Sequence, residues 1–209
     1  MTEPTPKAEI RRAVVADVPM IAKLINDSAE YGLMLPRSLA HLYENVRGFH
    51  VAQNPCHPTP EPDPPPGTMP ILGVCGLSVV WANLAEVMSL VVAPGQRRRG
   101  IGAQLVEACL AEARLLGIRR VMTLTYEQPF FTRLEFVVVD RSQLPLKVWS
   151  ECLRCPKNQD CDEIAMVREL QDVPETIGPE PTTLAADRYV VPIVRKIYDH
   201  SRLEADTLG

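Results

Sequence analysis

A cluster of arginine and glycine at residues 94–102 constrains the fold of this chain more than any other segment. It has the sequence Pro-Gly-Gln-Arg-Arg-Arg-Gly-Ile-Gly and lies between an apolar run at 84–93 and a helical pattern at 100–116. The run predicts a strand and the pattern a helix, so three arginines stand at the amino end of that helix. Cations are unfavourable there because the helix dipole already places positive partial charge at that end. The segment therefore predicts a strand–turn–helix unit that binds an anion such as a pyrophosphate.

The glycines of this turn help to define the ligand. Gly100 and Gly102 allow an anion to approach the backbone N–H groups of the first helical turn. The Walker sequence of nucleoside-triphosphate P-loops is absent, which excludes that site. A dinucleotide-binding fingerprint competes, but Leu105 stands where its third glycine is needed. A solvated arginine cluster, with glycines that only form a turn, is the remaining alternative.

Hydrophobic periodicity predicts helices and strands on both sides of this unit. Asp17 and Ser38 are expected to cap two helices, which end at Gly32 and Gly48. A tight hairpin at 82–83 joins two apolar strands. The predicted strands are 10–15, 49–52, 71–81, 84–93, 119–126, 136–140 and 163–167, and a short helix is predicted at 129–134.

Composition limits the architecture and the partners. A chain of 209 residues suffices for one domain with its own core. Eight of the seventeen residues at 54–70 are proline, which predicts an exposed insertion, or alternatively a ligand for an SH3-type domain. The net charge of −4 argues against nucleic acid as a partner. Without a long apolar run or an apolar leader, we expect no membrane association and a cytoplasmic location.

Three of the six cysteines cluster toward the carboxyl end, at Cys152, Cys155 and Cys161. They can contribute thiolates to a structural zinc site, but a closed site needs a fourth ligand, and no candidate stands at a diagnostic spacing. An iron–sulfur cluster, a redox disulfide between Cys152 and Cys155, and reduced structural thiols are the alternatives. Cys75 and Cys109 lie in apolar patterns and are predicted to be small buried hydrophobic residues.

The segment Arg-Arg-Arg-Gly-Ile-Gly at 97–102 resembles the R/Q-x-x-G-x-G/A element of the GNAT acetyltransferase superfamily. The order of elements over residues 8–168 is similar to that family too, and Pro-Phe-Phe-Thr-Arg-Leu-Glu-Phe at 129–136 resembles its F-Y-x-x-x-G-F segment. The resemblance implies a mixed α/β (α+β) fold with a largely antiparallel central sheet, helices on both faces and one splayed pair of strands. We therefore expect a GNAT domain at 1–168, with the insertion at 54–70, and an irregular carboxy-terminal tail at 169–209.

The same resemblance implies acetyl-CoA as cosubstrate. Its pyrophosphate is expected on the backbone amides of the motif, and its pantetheine arm in the gap beside the strand 86–93. Phe131 stands where many members carry a tyrosine general acid, so Thr125, Tyr126 or solvent is left to assist the leaving thiolate. Glu135 replaces the usual glycine of the second motif. The expected cofactor-binding residues are Leu90, Val91, Val92, Arg97, Arg98, Arg99, Gly100, Ile101 and Gly102.

A narrower resemblance is to the short N-acetylglutamate synthases, which lack a kinase domain and serve arginine biosynthesis. It rests on Gly-Leu-Met-Leu-Pro-Arg-Ser at 32–38, Trp-Ala-Asn-Leu-Ala-Glu at 81–86 and Leu-Thr-Tyr-Glu at 124–127. It implies transfer of acetyl to the α-amine of L-glutamate, a small amino-acid substrate. A homodimer is an arrangement that the resemblance leaves open.

This resemblance also implies roles for individual residues. Glu86 matches the general base that takes the proton of the amine, and Arg37 matches an arginine that binds a glutamate carboxylate. Lys147 is a second candidate cation for the substrate, and Met88 stands where relatives are often basic. A surface carboxylate and a surface arginine are the alternatives for Glu86 and Arg37. The alternative functions are acetylation of a protein amine or another small amine, and a non-catalytic module that binds acetyl-CoA.

Overall fold

The computed structural model describes residues 7–56, 69–144 and 162–175. Lys147, Cys152, Cys155 and Cys161 lie outside these ranges, so their predicted roles stay predictions. The same holds for the proline-rich residues 57–68 and for the tail beyond residue 175.

A seven-stranded sheet forms the centre of the fold. The order across it is β1-β2-β3-β4-β5-β7-β6, and all neighbouring pairs are antiparallel except β4 and β5, which are parallel. The predicted mixed, largely antiparallel sheet is thereby confirmed. The strands are β1 (Glu9–Arg12), β2 (Phe49–Gln53), β3 (Ile71–Trp81), β4 (Leu84–Val92), β5 (Arg120–Thr125), β6 (Val137–Val138) and β7 (Ile164–Glu169).

The parallel strands β4 and β5 separate soon after they meet. Leu84, Ala85 and Glu86 pair with the start of β5, and the described chain contains no ladder pair between the two strands beyond Glu86. From there β4 continues to Val92 along β3, while β5 continues to Thr125 along β7. This is the predicted splayed pair.

A β-bulge interrupts β4 at the edge of this gap. Met88 pairs with Gly76 and Val91 with Val74, so two residues of β4 between them oppose one residue of β3. Ser89, the first of the two, has a left-handed backbone with φ 51°. The extra residue shifts the alternation of side chains along β4 by one position. After the bulge, each side chain therefore points to the face opposite to the one that the alternation before the bulge would give it.

Helices cover both faces of the sheet, as predicted. Helices α1 (Val18–Glu30) and α2 (Leu39–Glu44) pack on one face, where Ile21, Ile25, Leu42 and Phe49 are buried. Helices α3 (Ile101–Leu115) and α4 (Gln128–Thr132) pack on the other, where Leu105, Leu110, Phe131 and Phe136 are buried. None of these described helices is long and apolar enough to cross a membrane.

The starts of α1 and α2 are stabilised differently. Ser38 caps α2 as predicted, since its Oγ accepts the N–H of His41 at 3.2 Å. Asp17 precedes α1 as predicted, but its side chain makes no cap bond to that helix. Its buried carboxylate accepts two bonds from Arg11, at 2.6 and 2.9 Å, and one from the N–H of Val14 at 2.8 Å. A charged guanidinium is a stronger donor than a backbone N–H group of the helix. The carboxylate of Asp17 therefore joins β1 to the segment before α1 and does not cap the helix.

The predicted left-handed cap at the end of α3 is present. Gly117 has φ 71°, and the N–H groups of Gly117 and Ile118 donate to the carbonyls of Arg114 and Ala113. After β7, Leu170 and Val173 are buried in the cluster under α3. The packed chain thus continues past residue 168, where the sequence placed the start of the tail.

Candidate active site

A cleft of about 840 Å³ opens where β4 and β5 separate. Its walls are β4 from Glu86 to Val92, the end of β5, the loop between α1 and α2, the start of α3, and α4. The cleft therefore brings together the arginine–glycine turn and the strand with Glu86, the two segments on which the functional prediction depends.

The arginine–glycine turn forms one end of the cleft. Arg98 and Gly100 have positive φ angles of 63° and 79°. The first bond of α3 runs from the N–H of Gln104 to the carbonyl of Gly100 at 3.1 Å. The N–H groups of the three preceding helical residues, at 101–103, therefore have no carbonyl acceptor within the helix. Left-handed turns that direct successive N–H groups to one side, followed by a helix amino end, are typical phosphate-binding backbones.

The three arginines of the turn are exposed, but their side chains make different contacts. Arg97 donates from Nε to the carbonyl of Val92 at 3.2 Å, and Arg99 donates from Nη1 to Oε1 of Gln96 at 3.1 Å. Arg97 and Arg98 line the cleft, whereas Arg99 is not among the described residues that line it. Two guanidinium groups can therefore meet an anion at the helix end, while Arg99 stabilises the turn.

Gly102 lies against Phe130 of α4. A Cβ atom added at Gly102 would lie 3.4 Å from Cζ of Phe130 and 3.6 Å from Cγ2 of Val92, which are ordinary contact distances. The packing of the protein itself therefore does not demand glycine at this position. The missing side chain leaves the first turn of α3 accessible from the cleft, and this fits a bulky anion.

The middle of the cleft is bounded by β4 after the bulge, where Leu90, Val91 and Val92 lie. Because β5 has separated, backbone groups of β4 that point toward β5 meet no strand in the part of the chain that the structure describes. Such N–H groups can donate to a carbonyl or to an oxyanion in the cleft.

At the other end of the cleft a carboxylate and a guanidinium lie on the same side of β4. Glu86 is half-buried and is the last residue of the parallel ladder. Met88, two residues further along the strand, accepts a bond from Nη2 of Arg37 to its Sδ at 3.7 Å. Glu86, Met88 and Arg37 all line the cleft. This end can hold an anionic group beside a proton acceptor.

The backbone of Arg37 is fixed by a side chain that the sequence analysis did not identify. Its N–H donates to Oδ1 of Asn26 at 2.9 Å, and Nδ2 of Asn26 donates to its carbonyl at 3.1 Å. These bonds join the α1–α2 loop to α1. Asn26 was missed because it is one of several polar residues on the outer face of α1, and periodicity does not distinguish among them.

At the end of β5, two residues with hydroxyl groups line the cleft, Thr125 and Tyr126. Oγ1 of the buried Thr125 accepts the N–H of Glu127 at 2.9 Å, so its own proton can be donated elsewhere. Phe131 is buried in edge-to-face contacts with Phe130 and Phe136, with ring centroids 5.0 and 5.2 Å apart. Glu163, just before β7, also lines the cleft and carries no signal in the sequence.

Outside the cleft, the thiols of Cys75 and Cys109 are fully buried, as predicted. A hydrogen bond with Cys75 and burial raise the pKa of Cys109 well above its ordinary value of 9.0. The thiol therefore stays protonated and belongs to the core. Within the described ranges, no group of three or more His, Cys, Asp or Glu side chains could hold a metal ion. The structural zinc stays a prediction, since its cysteines lie elsewhere.

Comparisons with known proteins agree with this geometry. Residues 38–136 match the family described as Acetyltransferase (GNAT) family. An uncharacterized N-acetyltransferase of Chlorobaculum tepidum is 34% identical over 161 residues, which cover 77% of this chain and 96% of that protein. An amino-acid acetyltransferase of Mycobacterium tuberculosis is 32% identical over 145 residues, covering 69% of this chain and 77% of that protein. A solved structure from Mycobacterium tuberculosis, a complex with CoA, has a TM-score of 0.60 and 28% identity over 78% of this chain and 99% of that chain.

Proposed function

Since the chain belongs to the GNAT acetyltransferase family, and is therefore an acetyl-CoA-dependent N-acetyltransferase, we propose that it transfers acetyl to the α-amine of L-glutamate. The observation that carries the proposal is that the two ends of this cleft present different groups. Its first end is a helix amino terminus with Arg97 and Arg98, and Glu86 and Arg37 both line its second end. A diphosphate fits the first end, and an amino acid fits the second.

The cosubstrate lies along the cleft in this proposal. The diphosphate of acetyl-CoA accepts the N–H groups of residues 101–103, and Arg97 and Arg98 balance its charge. The pantetheine arm follows β4 in the gap, along Leu90 and Val92. The acetyl group then reaches the bulge, where the N–H of Leu90 polarises the thioester carbonyl. The CoA complex of the Mycobacterium tuberculosis structure, at 28% identity, supports this choice of ligand.

The acceptor occupies the end with Glu86. A carboxylate of glutamate binds the guanidinium of Arg37, which directs the α-ammonium group toward Glu86. Because that group is largely protonated at neutral pH, Glu86 removes a proton directly or through water. Among the described residues, Arg37 provides a cation at this end. Lys147 stays a prediction as the residue that binds the second carboxylate.

The reaction then proceeds in two steps. The lone pair of the amine attacks the thioester carbon, and the tetrahedral oxyanion is stabilised by the N–H of Leu90. Its collapse breaks the carbon–sulfur bond and releases the coenzyme as thiolate, while the nitrogen gives up its second proton to solvent or to the leaving thiolate. A thiol with a pKa of about 8.5 is a good leaving group near neutral pH, so a proton from Thr125, Tyr126 or solvent is sufficient. No tyrosine at position 131 is required.

The name of the 32% identical relative, amino-acid acetyltransferase, supports an amino acid as acceptor. If the acceptor is L-glutamate, the product N-acetylglutamate assigns the protein to arginine biosynthesis. A cytoplasmic location and a homodimer stay predictions.

Replacement of Glu86 tests the proposal. We expect Glu86→Gln to lower kcat by about 10²- to 10⁴-fold, because a general base typically contributes this much. Its Kd for coenzyme A in calorimetry should equal that of the wild type, since Glu86 lies away from the diphosphate end. Raising the pH should restore part of the rate, because more of the amine is then deprotonated in solution. Glu127→Gln removes an exposed carboxylate that also lines the cleft and is the matched control.

Thiol release in the presence of each of the twenty amino acids, polyamines and peptides identifies the acceptor. The proposal predicts the highest kcat/KM with L-glutamate. Turnover confined to polyamines or peptides would contradict the glutamate assignment and leave the cosubstrate assignment intact. Full activity of Glu86→Gln would exclude Glu86 as the base.

A further inference from the structure

One largely buried arginine, which is not among the described residues that line the cleft, joins β7, α3 and the end of α4. The side chain of Arg168 on β7 is 13% exposed. Its Nη1 donates to Oε1 of Glu107 on α3 at 3.0 Å, and its Nη2 donates to Oε2 of Glu135, after α4, at 2.6 Å. The side chains of Glu107 and Glu135 are 48% and 76% exposed, so the guanidinium is the inner member. We call Arg168, Glu107 and Glu135 the clasp.

Glu135 belongs to the cap that ends α4. It has φ 64°, its N–H donates to the carbonyl of Thr132 at 3.0 Å, and the N–H of Phe136 donates to the carbonyl of Phe131 at 3.1 Å. These are the two bonds of a Schellman motif, and the contact between the rings of Phe131 and Phe136 completes it. The clasp therefore holds the residue on which the end of α4 depends.

Helix α4 carries the aromatic wall of the cleft. Phe130 and Phe131 both line it, and Phe130 lies over Gly102 at the first turn of α3. The helix spans only five residues, Gln128–Thr132, and so short a helix is not stable without tertiary contacts. Whatever fixes the end of α4 also fixes Phe130 beside the expected diphosphate site.

We propose that Arg168 is a positioning residue for acetyl-CoA, which acts through Glu135 to keep α4, and with it Phe130, against the first turn of α3. The proposal rests on the proposed binding of acetyl-CoA in this cleft. Arg168 itself does not line the cleft among the described residues, and its effect is preorganisation. A wall that is already ordered loses less conformational freedom when the ligand binds. An exposed ion pair would contribute little, but a guanidinium shielded from solvent and shared by two carboxylates binds more strongly.

The test compares Arg168→Met with the wild type in calorimetry with coenzyme A and in steady-state kinetics. We expect Kd for coenzyme A and KM for acetyl-CoA to rise about fivefold, the effect of a modest loss of preorganisation. The kcat should change less than about twofold, since no reacting group is altered. Arg168→Lys, which keeps the charge and one of the two bonds, should restore part of the affinity. A purely structural arginine would lower Tm and leave both constants unchanged.

Two further variants keep the test decisive if Arg168→Met does not fold. Glu135→Gln removes the charge on the α4 side and leaves the bond between Arg168 and Glu107, and it should weaken coenzyme A binding nearly as much as Arg168→Met. Glu107→Gln is the matched control, because it leaves the bond to Glu135 and should have the smaller effect. Wild-type affinity of Glu135→Gln for coenzyme A would overturn the positioning role while the proposed function stands. Absence of binding to the wild type would overturn both.

Discussion

At the scale of single residues, Glu135 combines an unfavourable backbone with a useful side chain. Its φ of 64° lies in the left-handed region, where a Cβ atom costs about 1 kcal/mol relative to glycine. The corresponding positions at the ends of α1 and α3 are Gly32 and Gly117, with φ 69° and 71°. Glycine there would relieve the backbone, but only a longer acidic side chain reaches Arg168. The departure from the family motif therefore changes the side chain and keeps the backbone conformation.

Two substitutions separate these contributions. Glu135→Gly and Glu135→Ala both remove the carboxylate, but only alanine retains the Cβ atom in the left-handed region. We expect the free energy of unfolding of Glu135→Gly to exceed that of Glu135→Ala by about 1 kcal/mol. Unfolding in urea, followed by circular dichroism, measures the difference. Equal stability of the two variants would mean that the cap relaxes out of the left-handed conformation when the side chain is shortened.

At the scale of elements, the turn before α3 uses two glycines for different reasons. Gly100 has φ 79°, which only glycine adopts without strain, whereas Gly102 lies within the helix and has room for a methyl group. Local conformation thus explains Gly100. Ligand access is the explanation left for Gly102.

Alanine at each position tests this division. Gly100→Ala should lower the free energy of unfolding by about 1 kcal/mol because of the left-handed backbone. Gly102→Ala should keep or slightly raise stability, since alanine is the better helix former by about 1 kcal/mol. It should nevertheless weaken coenzyme A binding by about tenfold, because the methyl group would occupy part of the cleft at the first turn of α3, where the diphosphate is expected. Urea unfolding and calorimetry on both variants provide the two measurements, and unchanged affinity of Gly102→Ala would contradict the ligand-access explanation.

Most elements could be predicted because the residue pattern that specifies each helix or strand lies within that element. Apolar runs and helical spacing located the strands and the four α-helices of the described residues, with boundaries that differ by a few residues. The arginine–glycine turn was equally visible, because its charge conflicts with the helix dipole within a single segment. The bulge in β4 was not predictable: Ser89 is not a residue type that marks a left-handed backbone.

Tertiary contacts were the part of the site that sequence could not supply. The bond between Arg37 and Met88 joins residues 51 positions apart, and the two bonds of Arg168 span 61 and 33 positions. Periodicity reports which face of an element is apolar, and it contains no information on which distant side chains meet. The clasp and the role of Asn26 therefore became visible only in the folded chain.

At the scale of the whole molecule, the sheet order explains why the cleft lies at this place. β4 and β5 are joined through α3 and run parallel, within a sheet whose other described pairs are antiparallel. The two strands diverge toward their carboxyl ends, and α3 begins beside the opening. A ligand in the gap contacts β4, β5 and the start of α3 together, so its binding energy adds to the stability of the whole domain.

Thermal unfolding with and without ligand tests this coupling. Coenzyme A at about 100 times its Kd should stabilise the folded protein by about 2.7 kcal/mol and raise Tm by about 5–10 °C. Pantetheine at the same concentration can occupy the gap but has no diphosphate for the N–H groups and arginines of the turn. It should therefore shift Tm by far less. If pantetheine stabilised the protein as much as coenzyme A, the gap between the strands would be the dominant binding element. The anion site that Arg97, Arg98 and the first turn of α3 form would then contribute little to cosubstrate affinity.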